Sequence, residues 1–160
     1  MKHKTGRFLS EAGMIAALYI LLTLLSAAVG LSSGAIQLRL SEALCLLPIF
    51  TPAAIPGLAV GCFLANLFTG ALPPDLLFGT LATLIGAVGT YFLRRHKLLA
   101  LAAPILANTL ILPPVLLYAY HLSRSYWFLV LTVGAGELLS CGLLGLLIEP
   151  RCRRLFKTHP

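Results

Sequence analysis

Apolar residues run along this chain in long stretches, and polar residues gather in short clusters between them. Six apolar runs can be drawn, at about residues 8–30, 36–49, 53–70, 75–93, 98–120 and 126–148. Most approach the roughly 20 residues that a helix needs to cross the hydrocarbon of a bilayer. The pattern predicts an all-α fold: an integral membrane bundle of six transmembrane helices, forming a single domain over residues 1–160. Proline and glycine punctuate the runs. TPAAIPG (51–57) and GALPPD (70–75) read as turns, and Pro113 and Pro114 predict a kink or break in the fifth helix.

The second run is the exception. At about 1.5 Å per residue it reaches only some 20 Å. It also carries Arg39 and Glu42 and ends near Pro48. Charge placement decides whether it counts as a crossing. Lys2, Lys4 and Arg7 open the chain, Arg94, Arg95 and Lys97 sit in its middle, and Arg151, Arg153, Arg154 and Lys157 close it. With six crossings and a cytoplasmic start, all of these lie inside, and only Arg124 falls in an outer loop. Five crossings would move the second and third clusters outside, against the positive-inside rule. The expected location is the cell membrane, multi-pass, with both termini cytoplasmic.

Composition sharpens this picture. Apolar residues make up 59% of the chain and charged residues 11%, against about 45–50% and about 25% in soluble domains. The basic opening MKHKTGRF precedes an apolar run with no small-residue cleavage site standing out, so that run reads as retained. The formal net charge of +7 sits in clusters at the ends of apolar runs, as lipid and insertion bias favour, which argues against nucleic acid as a partner. Cys45, Cys62, Cys141 and Cys152 show no metal-ligand or disulfide spacing. Cys152 stands in the juxtamembrane run RCRR, where acylation is conceivable. No cofactor and no metal is expected. No G-x-x-x-x-G-K-[ST] phosphate loop is present, so uphill transport would need another source of energy.

Five acids carry the remaining information: Glu11, Glu42, Asp75, Glu137 and Glu149. Glu11 and Glu149 lie beside basic clusters and read as interfacial ion pairs. Glu137 falls in the middle of the sixth run, in VGAGELLSCG. An unpaired carboxylate at such depth costs about 2.5–3.5 kcal/mol on insertion scales, so it should face the bundle interior or a wet cavity. Six alternating helices place Arg39, Glu42, Asn66 and Asp75 in one outer layer, with Asn108 and Glu137 near mid-depth. That layer suggests a polar pocket open to the outside. The bland alternative is an Arg39–Glu42 pair at (i, i+3) and interhelical bonds from Asn66 and Asn108. Tyr118, Tyr120, Tyr126 and Trp127 read as an interfacial aromatic belt. A pocket of acids, one guanidinium and two carboxamides suits a flat, nitrogen-rich ligand, because a carboxylate can take two parallel N–H bonds from an amidine-like edge.

Two further patterns stand out. Gly30-Leu31-Ser32-Ser33-Gly34 matches G-x-S-x-G, but that elbow needs a strand-to-helix turn and a His partner, and His3, His96, His121 and His159 fall in loops or tails. Ala12 and Ala16, joined by Gly13 and Ala17, form a small-xxx-small stripe that would let another helix approach closely.

The stretches IQLRLSEALCLLPIFTPAAIPGLAVGCFLANL, DLLFGTLATL, PILANTLILPP and GAGELLSC resemble the QueT family of queuosine-precursor transporters, over nearly the whole chain. The resemblance implies a six-helix substrate-binding (S) component of an energy-coupling factor (ECF) transporter, not an enzyme. Its solute, a deazaguanine base or related queuosine precursor, would sit near the outer face under the loop joining helices one and two. Arg39, Glu42, Asn66, Asp75, Asn108 and Glu137 would contact the solute. Ala12 and Ala16 would dock on a transmembrane T component, two cytoplasmic ATPases would supply energy, and the S component would topple in the bilayer to release its cargo. An S component for another vitamin-like solute, and an intramembrane serine hydrolase built on Ser32 or Ser33, are the alternatives.

Overall fold

A computed structural model describes residues 2–31, 38–121 and 124–157. Among these residues there are helices and no strands. The order is α1 (Lys2–Ala28), a 3₁₀ helix (Leu40–Ile49), α2 (Ala54–Phe68), α3 (Pro73–Phe92), α4 (Lys97–Tyr118) and α5 (Tyr126–Glu137). A π-helical segment (Leu138–Leu144) then joins α5 to α6 (Gly145–Lys157) without a break. Thr5–Ala28, Pro73–Phe92, Lys97–Tyr118 and Tyr126–Phe156 are each long and apolar enough to cross a membrane, whereas Leu40–Ile49 and Ala54–Phe68 are shorter apolar helices. Six crossings require that these two also traverse. Large apolar side chains such as Met14, Leu77 and Leu131 point outward, as a lipid-facing surface demands.

The second apolar run departs from an ordinary helix. Its described part is wound as a 3₁₀ helix. The tighter winding rises about 2.0 Å per residue, so ten residues reach about as far as fourteen in an α-helix. Such a long 3₁₀ run has poor hydrogen-bond geometry and would not survive against lipid. Here it is sheathed by protein: every residue from Ser41 to Pro48 is buried, and α1, α2, α3, α4, α6 and the π segment all pack on it. Side-chain hydroxyls hold its start. The Arg39 backbone N–H donates to Ser140 Oγ at 3.2 Å, and that of Leu40 to Ser26 Oγ at 2.9 Å. Thr23 Oγ1 donates to Ser41 Oγ at 2.8 Å. At the other end the Phe50 ring stacks on Phe156, with ring centres 5.8 Å apart.

Close approach between helices depends on small residues. A methyl group added at Gly61 would lie 2.8 Å from Tyr19 Cβ and 3.1 Å from Ala16 Cα, and one at Gly57 would lie 2.7 Å from the Ala12 carbonyl oxygen. The Ala12–Ala16 stripe is thus occupied by α2 of the same chain, while Gly13 and Ala17, about 100° round the helix, lie exposed. Gly86 and Gly89 of α3 face Pro104 and Ala103 of α4 in the same way. Of the kink or break expected in the fifth run, the break is not present. α4 continues through Pro104, Pro113 and Pro114, because a helix surrounded by apolar groups meets no water to compete for its remaining bonds.

Polar contacts mark the two ends of the bundle. At one end, Arg7 pairs with Glu11, whose other oxygen accepts from Thr51 Oγ1. Glu149 pairs there with Lys97 at 3.0 Å and Arg153 at 2.8 Å. At the other end lie the 69–72 turn, the start of the 3₁₀ helix and the segment after α4.

The α3–α4 seam yields a stability prediction. Gly86→Ala places a methyl 2.6 Å from Pro104 Cα, an overpacking that typically costs about 1–3 kcal/mol. Gly13→Ala meets nothing within 4 Å. Thermal unfolding in detergent is expected to show a lowered midpoint for the first variant and none for the second.

Candidate functional site

At the end away from the basic clusters, the bundle encloses a cavity of about 360 Å³. Arg39, Glu42, Asp75, Asn108 and Glu137 all line it. They arrive on four elements: the 3₁₀ helix and the residue before it, α3, α4 and α5. Asn66 stands behind the wall. Its Oδ1 accepts from the Arg39 guanidinium at 3.4 Å, and its Nδ2 lies 3.1 Å from where a Gly79 methyl would be. Gly79, itself on the lining, leaves room for Asn66 and Asp75 side by side.

The acids have different surroundings. Glu42, 3% exposed, accepts from the Tyr19 hydroxyl on Oε1 and from the Cys45 thiol on Oε2 at 3.1 Å. Both of its oxygens therefore serve the framework, tying the 3₁₀ helix to α1. The (i, i+3) ion pair with Arg39 is not formed; Arg39 turns to Asn66, and among the described residues it makes no salt bridge.

Glu137 is different. It is 7% exposed, and its Oε1 accepts from Asn108 Nδ2 at 2.9 Å. Its Oε2 is buried and has no hydrogen-bond partner among the described residues. Glu137 closes α5, and the backbone widens into the π segment immediately after it. A π turn inserted into a helix shifts the register of the following side chains and often marks functional positions. Here it turns Ser140 onto the same cavity wall.

Asp75 stands at the first turn of α3 and is 7% exposed. Its Oδ2 accepts from the Tyr120 hydroxyl at 3.0 Å, and that same hydroxyl accepts from the Leu72 backbone N–H at 3.2 Å. Partial burial pushes the Tyr120 phenol up from its ordinary value, so it stays a neutral donor. The cavity lining thus holds three acidic side chains, one guanidinium and one carboxamide.

Several of these partners were not evident in the sequence. Tyr19 lies in an apolar helix where a tyrosine passes for packing, yet it is 1% exposed and bonds the buried acid. Tyr120 belongs to the group read as an aromatic belt. Tyr118 and Trp127 keep that character, at 75% and 72% exposed, whereas Tyr120 lines the cavity. Cys62, Thr83 and Ser140 line it too, and nothing in their spacing sets them apart. Ser32, Ser33 and Gly34 of the G-x-S-x-G pattern, and with them most of the segment expected to roof the pocket, lie outside the described residues.

The two buried glutamates should respond oppositely to removal of charge. Glu42→Met strands the Tyr19 hydroxyl and should destabilise the solute-free protein by about 1–3 kcal/mol. Glu137→Gln keeps the oxygen that accepts from Asn108 and changes only the one with no partner among the described residues, so the solute-free unfolding midpoint should be unchanged or raised. Melting curves of the two purified variants against wild type check this.

The family model described as QueT transporter matches residues 9–150. No curated protein and no solved structure matches the chain.

Proposed function

The chain belongs to the QueT transporter family, and we propose that its solute is a queuosine precursor, a deazaguanine base, bound in the cavity at the outer face for uptake. Family membership makes it an S component of an ECF transporter, a substrate-binding membrane subunit and not an enzyme. Such components work with a T component and ATPase modules and bind small molecules. The observation that carries the finer reading is Glu137 Oε2, a buried acceptor without a partner among the described residues, on a polar cavity wall. A carboxylate so placed is suited to a ligand edge with two adjacent N–H donors, as guanine-type bases have.

In this reading Glu137 accepts from the ring N–H and exocyclic amine, while Asn108 fixes its rotamer. Arg39, steadied by Asn66, meets the base carbonyl. Asp75, at the mouth, holds an ammonium where the solute carries one. Glu42 contributes charge to the cavity while bonding its own framework. A volume of about 360 Å³ is at the small end of the roughly 300–1,000 Å³ of small-molecule sites, which favours a base over a nucleoside. With both termini cytoplasmic, the basic residues at the far end sit inside and the cavity opens outward. The face of α1 left for a T component is the one bearing Gly13 and Ala17, since α2 occupies Ala12 and Ala16.

Calorimetric titration of the purified protein with aminomethyl and nitrile deazaguanines, guanine, thiamine and riboflavin tests the reading. Binding confined to deazaguanines supports it; binding of a vitamin alone replaces it with the broader S-component reading. Glu137→Gln keeps the acceptor for Asn108 but sets an amide donor against the ligand's donors. Loss of a charge-assisted pair should weaken deazaguanine binding about ten- to a hundredfold. Unchanged affinity in this variant would remove Glu137 from the site.

A further inference from the structure

Among the described residues, Tyr120 is the one aromatic side chain on the cavity wall. Its hydroxyl touches the other side of the mouth twice, donating to Asp75 Oδ2 at 3.0 Å and accepting from the Leu72 backbone N–H at 3.2 Å. Leu72 precedes α3 and Asp75 lies in its first turn, so a single phenol ties the segment after α4 to the start of α3. Both segments border the cavity: Thr69, Gly70 and Ala71 on one side, Leu116 and Tyr120 on the other. Each turns sharply through the left-handed region, at Gly70 (φ 72°) and at His121 (φ 49°). His121 is not glycine, and holding it there is unfavourable. Its chain neighbour Tyr120 is bonded to the start of α3. Asp75 also has a reason to let go, because its carboxylate is the outermost acid of the cavity and a solute bearing a cation competes with the phenol for it.

We propose that Tyr120 is the latch of the cavity mouth, a positioning residue that sets how fast a solute passes between the exterior and Glu137. The latch closes by Tyr120–Asp75 bonding and opens when the phenol swings away from Asp75. It governs exchange rates of any solute that uses the cavity, so it stands whether or not that solute is a deazaguanine.

Cys62 provides the test without a ligand. It lines the cavity yet is 1% exposed, whereas Cys152, half-buried, lies at the opposite end of the bundle. Wild-type protein in detergent is treated with methyl methanethiosulfonate, a small neutral thiol reagent, and modification at each cysteine is followed by mass spectrometry. Tyr120→Phe removes only the hydroxyl and should speed modification of Cys62 about three- to tenfold, the range that losing one ordinary hydrogen bond allows. Modification of Cys152 should not change. Asp75→Ala should reproduce the effect, and Asp75→Asn, which still offers an acceptor, should largely suppress it. Unchanged Cys62 rates in both Tyr120→Phe and Asp75→Ala would overturn the proposal. A parallel rise at Cys62 and Cys152, which would signal general loosening, would overturn it as well.

Discussion

The structure depends on one constraint: a hydrocarbon bilayer offers no partner to an open backbone N–H. A ten-residue 3₁₀ helix at the centre of the bundle leaves such groups at its start, and hydroxyls from two directions satisfy them. Ser26 comes from α1 and Ser140 from the π segment, and each is almost completely buried. These serines and Thr23 bring α1 and the α5–α6 helix to a common axis. Arg39 and Glu42 then stand where the two sides of the bundle meet. The cavity lies beside that junction, and Ser140 both bonds the 3₁₀ start and lines the cavity.

Placing several acids in one low-dielectric region is costly unless each has a task. The division of labour is visible in their partners. Glu42 is satisfied on both oxygens and acts as a buried fastener. Asp75 is engaged by the Tyr120 phenol. Glu137 is half satisfied, held in orientation by Asn108 with its second oxygen left over. A fold that buries such an oxygen without a partner gives up stability at that point, a pattern common where a site is preorganised for something it has yet to bind.

The sequence made the membrane class legible, because no soluble surface could absorb so many apolar residues. Glu137 was legible for the same reason: an acid in mid-run has few tolerable environments. Placing Arg39, Asp75 and Asn108 on one wall followed from alternating helix directions and charge bias. The rest escaped for identifiable reasons. A 3₁₀ helix and an α-helix of different lengths span the same distance, so the run 36–49 did not reveal its winding. The π segment has no compositional mark. Tyr19 and Tyr120 look like any interfacial tyrosine until their hydroxyls are traced. Ala12 and Ala16 were recognisable as a contact stripe, but spacing alone does not tell a helix of the same chain from a partner's. Asn66 was expected on the wall, yet it stands behind it and bonds Arg39.

The central claim is that the leftover oxygen of Glu137 is where the solute is received. An experimental structure of the protein with an aminomethyl deazaguanine bound tests it most directly. The account predicts a ring or exocyclic N–H of the base within about 3.2 Å of Glu137 Oε2, with Asn108 still on Oε1. A base bound elsewhere, or one that leaves Glu137 Oε2 without a partner, would contradict it.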